Sequence, residues 1–294
     1  MTGNTELAMA KVLIVGCGNI GQGLAEVLIA EGHQVSGIKR KPLARQSSGL
    51  ELILADITVA DQLTGLPTDF DQVVLILTPD SRDEDSYRRV YLQGINNLLA
   101  HFSSAAIQEK PVPACLFVSS TSVYGQNAGQ WVDEDSETKP TSATAKILLQ
   151  AESNVLAHSP KNTIVRFSGI YGPGREGLIR QVQSGAPVQY EPPYYTNRIH
   201  QDDCIGVLAW LLKQCFAGTA TDNIYLASDD EPAAIKEVSD WLAEKLNCTA
   251  PAAKQIANPA QNKRCANQRL RAQGYKLRFA TYRQGYGALL KNAR

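Results

Sequence analysis

Short, unbroken apolar runs recur along the first 170 residues: Val12–Val15, Val35–Ile38, Leu52–Leu54, Val73–Leu77, Cys115–Val118 and Thr163–Phe167. Runs of this length without alternation predict strands covered on both faces, as in a parallel sheet. Between them apolar residues fall at helical spacing, in Leu24–Ile29, Ser86–Phe102 and Ala145–Ala157. Strand and helix in alternation predict an α/β fold with a doubly wound parallel sheet. After Phe167 the texture changes. Residues 171–198 carry four prolines, with only a short helical piece at Leu178–Val182. Chain of this kind builds loops that face ligands. A helix at about 202–216, a strand at Asn223–Leu226 and a helix at Ile235–Leu246 follow, and 251–294 is polar and mixed. The expected division is a sheet domain over 1–170, with 199–228 returning to it, and a small lobe from 171–198 and 229–294.

The first strand, from Lys11, runs into Gly16, Gly18 and Gly21, and a helix opens at once through Asn19 and Ile20. This is the G-x-G-x-x-G pattern of a dinucleotide turn. The first glycine permits the turn, the second lets backbone approach a pyrophosphate, and the third lets helix and strand pack closely. Free N–H groups at the helix start then face the phosphates. In such a unit an acid ending the second strand selects NAD, whereas basic residues take the 2′-phosphate of NADP. The second strand here ends in Lys39-Arg40-Lys41 with no carboxylate. A guanidinium grips a phosphate through paired, charge-assisted hydrogen bonds. The expected cofactor is therefore NADP(H) in preference to NAD(H), with Arg40 as the main contact and Lys39 beside it.

Charge and cysteine content narrow the function classes. Lys plus Arg equals Asp plus Glu at 29 each, so no long-range field draws the chain to nucleic acid or an anionic membrane. Cys17, Cys115, Cys204, Cys215, Cys248 and Cys265 form no C-x-x-C pair and no ligand cluster. They read as reduced thiols of a cytoplasmic protein without a metal site. Residues 1–10 lack the basic and apolar regions of a signal peptide and read as a disordered leader. No apolar run reaches the length of a membrane span.

Four further segments occur in a set order: Phe117-Val-Ser-Ser-Thr-Ser-Val-Tyr-Gly125, Lys146 with Glu152, Arg166-Phe-Ser-Gly-Ile-Tyr-Gly-Pro-Gly174, and Arg198-Ile-His-Gln-Asp-Asp203. With the glycine turn, from about Lys11 to Tyr286, the chain resembles the extended short-chain dehydrogenase/reductases, the NAD(P)-dependent epimerase/dehydratase group. The resemblance implies a Rossmann fold, a small-molecule substrate of sugar or nucleotide-sugar type, and a homodimer. It implies that Asp56 and Ile57 flank the adenine, that Leu77, Thr78 and Pro79 line the cofactor cleft, and that Phe167 lies near the nicotinamide. It further implies that Lys146 bonds the nicotinamide ribose and that Ser120 orients the substrate oxygen.

One family feature is absent. The tyrosine that shuttles the proton should stand four residues before Lys146, where this chain has Ser142. A serine hydroxyl ends several bonds short of a phenolic oxygen and is far less acidic than a phenol of pKa about 10. Ser142, Ser120 and Lys146 would have to act through a bridging water. Tyr124 and Tyr171 are expected in loop walls, His200 as a support of the fold, and Glu134 near the substrate cleft. The arginine that holds a diphosphate four residues before the family histidine is replaced by Thr196, with Arg198 two residues later; Arg175 and Arg264 remain as candidate anion contacts. Two functions stay open at this point. One is an NADP(H)-dependent oxidoreductase or epimerase-like protein acting on a small polar substrate. The other is an NADP(H)-sensing regulator resembling the NmrA-like proteins, which lack the tyrosine.

Overall fold

The computed structural model describes residues 9–43, 45–106, 111–219, 222–255 and 261–292. Of the leader expected over 1–10, only Met9 and Ala10 belong to these. The chain begins β1 (Lys11–Val15), α1 (Asn19–Ala30), β2 (Gln34–Lys39), β3 (Leu50–Leu54) and β4 (Gln72–Leu75). Next come α2 (Glu84–Tyr87), a π-helical turn at Arg88–Gly94, α3 (Ile95–Ala106) and β5 (Ala114–Ser120). Then follow β6 (Gln130–Val132), α4 (Ala143–His158), β7 (Thr163–Phe167), β8 (Gly169–Tyr171), α5 (Gly177–Gln183), β9 (Val188–Gln189), β10 (Tyr195–Thr196) and β11 (Arg198–His200). The chain continues with α6 (Gln201–Phe216), β12 (Ile224–Ala227), β13 (Ala233–Ala234), α7 (Ile235–Leu246), β14 (Ala253–Lys254), β15 (Lys263–Cys265), α8 (Gln268–Ala272) and α9 (Tyr282–Asn292).

The central sheet has seven strands in the order β12-β7-β5-β4-β1-β2-β3. The run β3-β2-β1-β4-β5 pairs in parallel, with Val12–Val15 flanked by Val35–Ile38 on one side and Gln72–Leu75 on the other. Val12, Leu13 and Ile14 are fully buried, which is why this strand is apolar without alternation. Successive strands step outward from β1 to β3, and the chain then returns to lay β4 on the other side of β1. That reversal falls between β1 and β4, at whose carboxyl ends doubly wound sheets bind their ligands.

The structure has the expected α/β doubly wound fold, with shifts at element ends. β4 stops at Leu75 rather than Leu77, although the Ile76 amide still bonds the Val15 carbonyl at 2.8 Å. Beyond that point the carbonyl of Ile76 faces Gly16. The helical stretch expected over Ser86–Phe102 runs as far as Ala106 and begins at Glu84, because Asp83 caps its start by accepting the Ser86 amide at 2.8 Å.

The chain divides into two compact units. The first holds residues up to Ser119 with Ser142–Val165 and Ile205–Ile224; the second holds Ser120–Thr141, Arg166–Cys204 and the chain from Tyr225 on. Within the second, four short pairs form: β6 with β15, β8 with β11, β9 with β14, and β10 with β13. Its own core gathers Tyr171, Ile179, Val182, Val238, Leu242, Tyr282, Tyr286 and Leu289, mostly from α5, α7 and α9.

Candidate functional site

The glycine turn lies wholly in the first unit, and each glycine has a separate physical reason. Gly16 has φ of 106°, and a Cβ there would stand 2.0 Å from the Ile76 carbonyl oxygen. Only glycine tolerates both. At Gly21 a Cβ would stand 2.3 Å from the Gly16 oxygen, so α1 approaches the turn too closely for a side chain. Gly18 is different: a Cβ there meets nothing within 4 Å. The space outside Gly18 is open, as the approach of a ligand requires. Gly18 is also the N-cap of α1, with no side chain capping it and no acid in the first turn. The amides of Asn19, Ile20 and Gly21 thus keep their capacity for an anion. Cys17, between these glycines, is buried, and burial pushes its thiol up to about 11, so it is no nucleophile.

Around the turn stand the other residues expected at the nucleotide. Arg40 follows β2 directly, and its guanidinium forms a paired bond with Asp80, at 2.6 Å and 2.5 Å. This pairing raises the Arg40 pKa and lowers that of Asp80. Asp56 has one carboxylate oxygen accepting the amide and hydroxyl of Thr58, at 2.9 and 2.8 Å. Ile57 is buried, and its carbonyl accepts from Asn97 at 2.9 Å. Leu77 has its carbonyl fixed by the Tyr91 hydroxyl at 3.2 Å; Thr78 and Pro79 follow, Thr78 exposed. Asp80 escaped the sequence reading because its partner lies 40 residues away in sequence.

In the first unit Ser142 is the N-cap of α4, its hydroxyl accepting the Ala145 amide at 3.3 Å. One turn on, the exposed Lys146 donates its amide to the Ser142 carbonyl at 3.1 Å. Ser119 donates to Glu152 at 2.5 Å, tying the end of β5 to α4. In the second unit Ser120 is half-buried and caps a short turn by accepting the Ser122 amide at 3.1 Å. Phe167 is buried at the end of β7.

The candidate replacements for the phenol are committed to structure. The buried Tyr124 accepts a hydrogen bond from Arg166 at 2.9 Å, with the guanidinium also over its ring. His200 accepts the Asp202 amide at 3.1 Å and packs against Tyr171 and Phe279; burial holds its pKa below the usual imidazole value. Tyr171 is also buried, its hydroxyl hard against Gly285. Glu134 accepts the Leu226 amide at 2.8 Å, which ties the loop to β12.

The arginines separate into different roles. Arg198 is buried, bonded to Thr196 and lying over the Tyr282 ring, so it is no open anion ligand. Arg264 is held between the rings of Trp131 and Tyr195, at 5.0 and 4.8 Å, and donates to the Gly129 carbonyl. Arg175 closes a loop through its amide, bonded to Gly172. Two buried charges were not legible in the sequence. Lys263 bonds Gln261, and burial pulls its pKa down to about 8; Asp229 is 1 % exposed, and burial pushes its pKa up to about 8. Both lie in polar, mixed sequence that resembles surface chain.

Among the described residues no group of three or more His, Cys, Asp or Glu is placed to hold a metal, and no helix is long and apolar enough to cross a membrane.

Comparison with known proteins agrees with the fold. The NAD dependent epimerase/dehydratase family matches residues 12–223, and the chain belongs to that family. Protein YeeZ of Escherichia coli strain K12 is 31% identical over 215 residues, which are 70% of this chain and 74% of that protein. A solved Methylobacillus flagellatus structure, assigned to the NAD-dependent epimerases/dehydratases, is 34% identical with a TM-score of 0.82, covering 98% of this chain and 100% of that one. The UDP-glucose 4-epimerase of Thermus thermophilus, solved with NAD, shares the fold at 19% identity and a TM-score of 0.77, with 96% of this chain and 98% of that one covered.

Proposed function

We propose that this protein binds NADP(H) on the glycine turn and acts as an oxidoreductase or epimerase-like enzyme on a small polar substrate. The observation that carries the cofactor reading is the open space outside Gly18 at an uncapped helix start, with Arg40 at the end of β2. Family membership supports the dinucleotide, and the Thermus epimerase, which shares the fold, was solved with NAD. In this reading Asn19, Ile20 and Gly21 hold the pyrophosphate, Lys39 and Arg40 the 2′-phosphate, Asp56 and Ile57 the adenine, and Leu77, Thr78 and Pro79 the cleft wall. Lys146 bonds the nicotinamide ribose, Phe167 lies near the ring, and Ser120 orients the substrate oxygen. The bound cofactor would supply or accept the hydride. Arg264, held between two rings, is the anion contact for a substrate of nucleotide-sugar type. A cytoplasmic homodimer belongs to the same reading, as does a dinucleotide domain over 1–170 with 199–228.

Titration of wild type and Arg40→Ala with NADPH and NADH tests it. A guanidinium–phosphate hydrogen bond contributes about 1.5–3 kcal/mol, so Arg40→Ala weakens NADPH binding by about tenfold or more and leaves NADH nearly unchanged. An unchanged preference removes the assignment.

One observation favours a second reading, an NADP(H)-sensing regulator of the NmrA-like kind. Ser142 spends its hydroxyl on the Ala145 amide, so the family's proton-donor position is filled by a helix cap.

A further inference from the structure

The Arg40–Asp80 bond lies in a position that its strength does not explain. Its partners are 47% and 56% exposed, and a pair so exposed contributes little to folding. Its placement is more telling. Gly16 donates its amide to the Ile38 carbonyl at 3.1 Å on one side and abuts the Ile76 carbonyl on the other. The glycine turn therefore sits between the ends of β2 and β4. Arg40 lies two residues past Ile38, and Asp80 lies four past Ile76. A bond between them joins the segments that follow β2 and β4, on either side of the glycine turn. Both outer nitrogens of the guanidinium are engaged, one to each carboxylate oxygen. These are the groups that would take a 2′-phosphate bidentately.

We infer that Asp80 is a specificity-determining residue, a carboxylate that competes with the 2′-phosphate of NADP(H) for the fork of Arg40. The inference rests on the cofactor reading above. NADPH must exchange one oxyanion for another at Arg40 and bring its phosphate past a carboxylate. NADH has a hydroxyl at that position, need not break the pair, and can donate that hydroxyl to Asp80. The acid thus narrows the margin between the two cofactors. The other charges that bear on the pair are Asp56 on the Arg40 side and Lys41 and Arg89 on the Asp80 side. They remain in place in the variants below.

Binding of NADPH and NADH is measured by calorimetry at low ionic strength for wild type, Asp80→Asn, Arg40→Ala and the double variant. Asp80→Asn raises the preference for NADPH over NADH by about two- to fivefold, the range of an exposed ion pair. In the Arg40→Ala background the same change gives a smaller gain, because no guanidinium remains to be released and only the direct effect of the carboxylate on the cofactor is removed. An equal gain in both backgrounds would mean that Asp80 acts only as a nearby negative charge, and overturns the inference. So does an unchanged preference in Asp80→Asn when wild type binds NADPH. If wild type binds neither cofactor, the cofactor reading fails and the role of Asp80 fails with it. Unchanged thermal melting of each variant checks that the fold is intact.

Discussion

Two demands fall on residue 142. In the reading proposed above the position would be that of a phenol; in the structure it is the N-cap of α4, with Ser142 accepting the Ala145 amide and Lys146 one turn on. Serine is among the best N-cap residues, and tyrosine is not. Ser142→Tyr is therefore expected to change two measured quantities in opposite senses. Stability to urea falls by about 0.5–2 kcal/mol, the usual cost of a lost cap. If the surroundings remain catalytic, NADPH-dependent turnover on a carbonyl panel rises by about 10²–10⁴, the usual contribution of a positioned acid. A loss of stability with no gain in turnover, while NADPH still binds, favours the sensor. Tyr124, Tyr171 and His200 offer no rescue, since each is buried and packed.

At the scale of the strand–turn–helix element, the three glycines can be separated by substitution. Gly18→Ala meets open space, so it loses only the modest advantage of glycine over alanine at an N-cap, yet it loses dinucleotide affinity because the new methyl lies on the open side of the turn. Gly21→Ala must push α1 away from the Gly16 carbonyl and lowers the melting temperature. Equal melting of the two variants, or tight NADPH binding by Gly18→Ala, would contradict this account. Such local elements were legible because their causes are local: buried strands leave apolar runs, and a tight turn leaves glycines. Arg40 was legible for the same reason, since it follows β2 at once. Asp80 was not, because only the return of the chain to lay β4 beside β1 brings it to Arg40. Nothing in the sequence marked Arg198 as buried, and the pairing of β8 with β11 places it in the interior. Lys263 and Asp229 were hidden similarly, in text whose polarity says nothing of burial.

Those two buried groups contribute slopes of opposite sign to the pH dependence of stability. Burial holds Asp229 neutral up to about pH 8, whereas in the unfolded chain it ionises near its ordinary value of 3.8. Between those values the native state holds a proton that the unfolded state has released, so stability falls as pH rises from about 4 to about 8. The slope approaches about 1.4 kcal/mol per pH unit, a ceiling set by one proton. Lys263 acts in the next window and with the opposite sign. Its folded pKa, lowered to about 8 from 10.5, makes the native state shed a proton that the unfolded chain keeps, so its contribution rises with pH over that range. Urea unfolding of wild type and Asp229→Asn from pH 4.5 to 8 tests the larger statement. The stability of Asp229→Asn relative to wild type increases steadily across that range; parallel curves would show that Asp229 is already ionised in the native state.

The path of the chain has a consequence for its synthesis. The chain passes from one unit to the other after Ser119, Thr141, Val165, Cys204 and Ile224. Neither unit is a continuous stretch of the message. A ribosome that has translated only as far as Thr141 has made the glycine turn and β1 to β5, but neither α4 nor β7. The nascent sheet then has β5 at its outer edge, a strand built to be covered. The first unit reaches completion only at Ile224, while the second still awaits α7 and α9, which supply much of its core. The second unit therefore gains its core only after α9 is made, and the nascent protein must keep unpaired strands from meeting other chains until then.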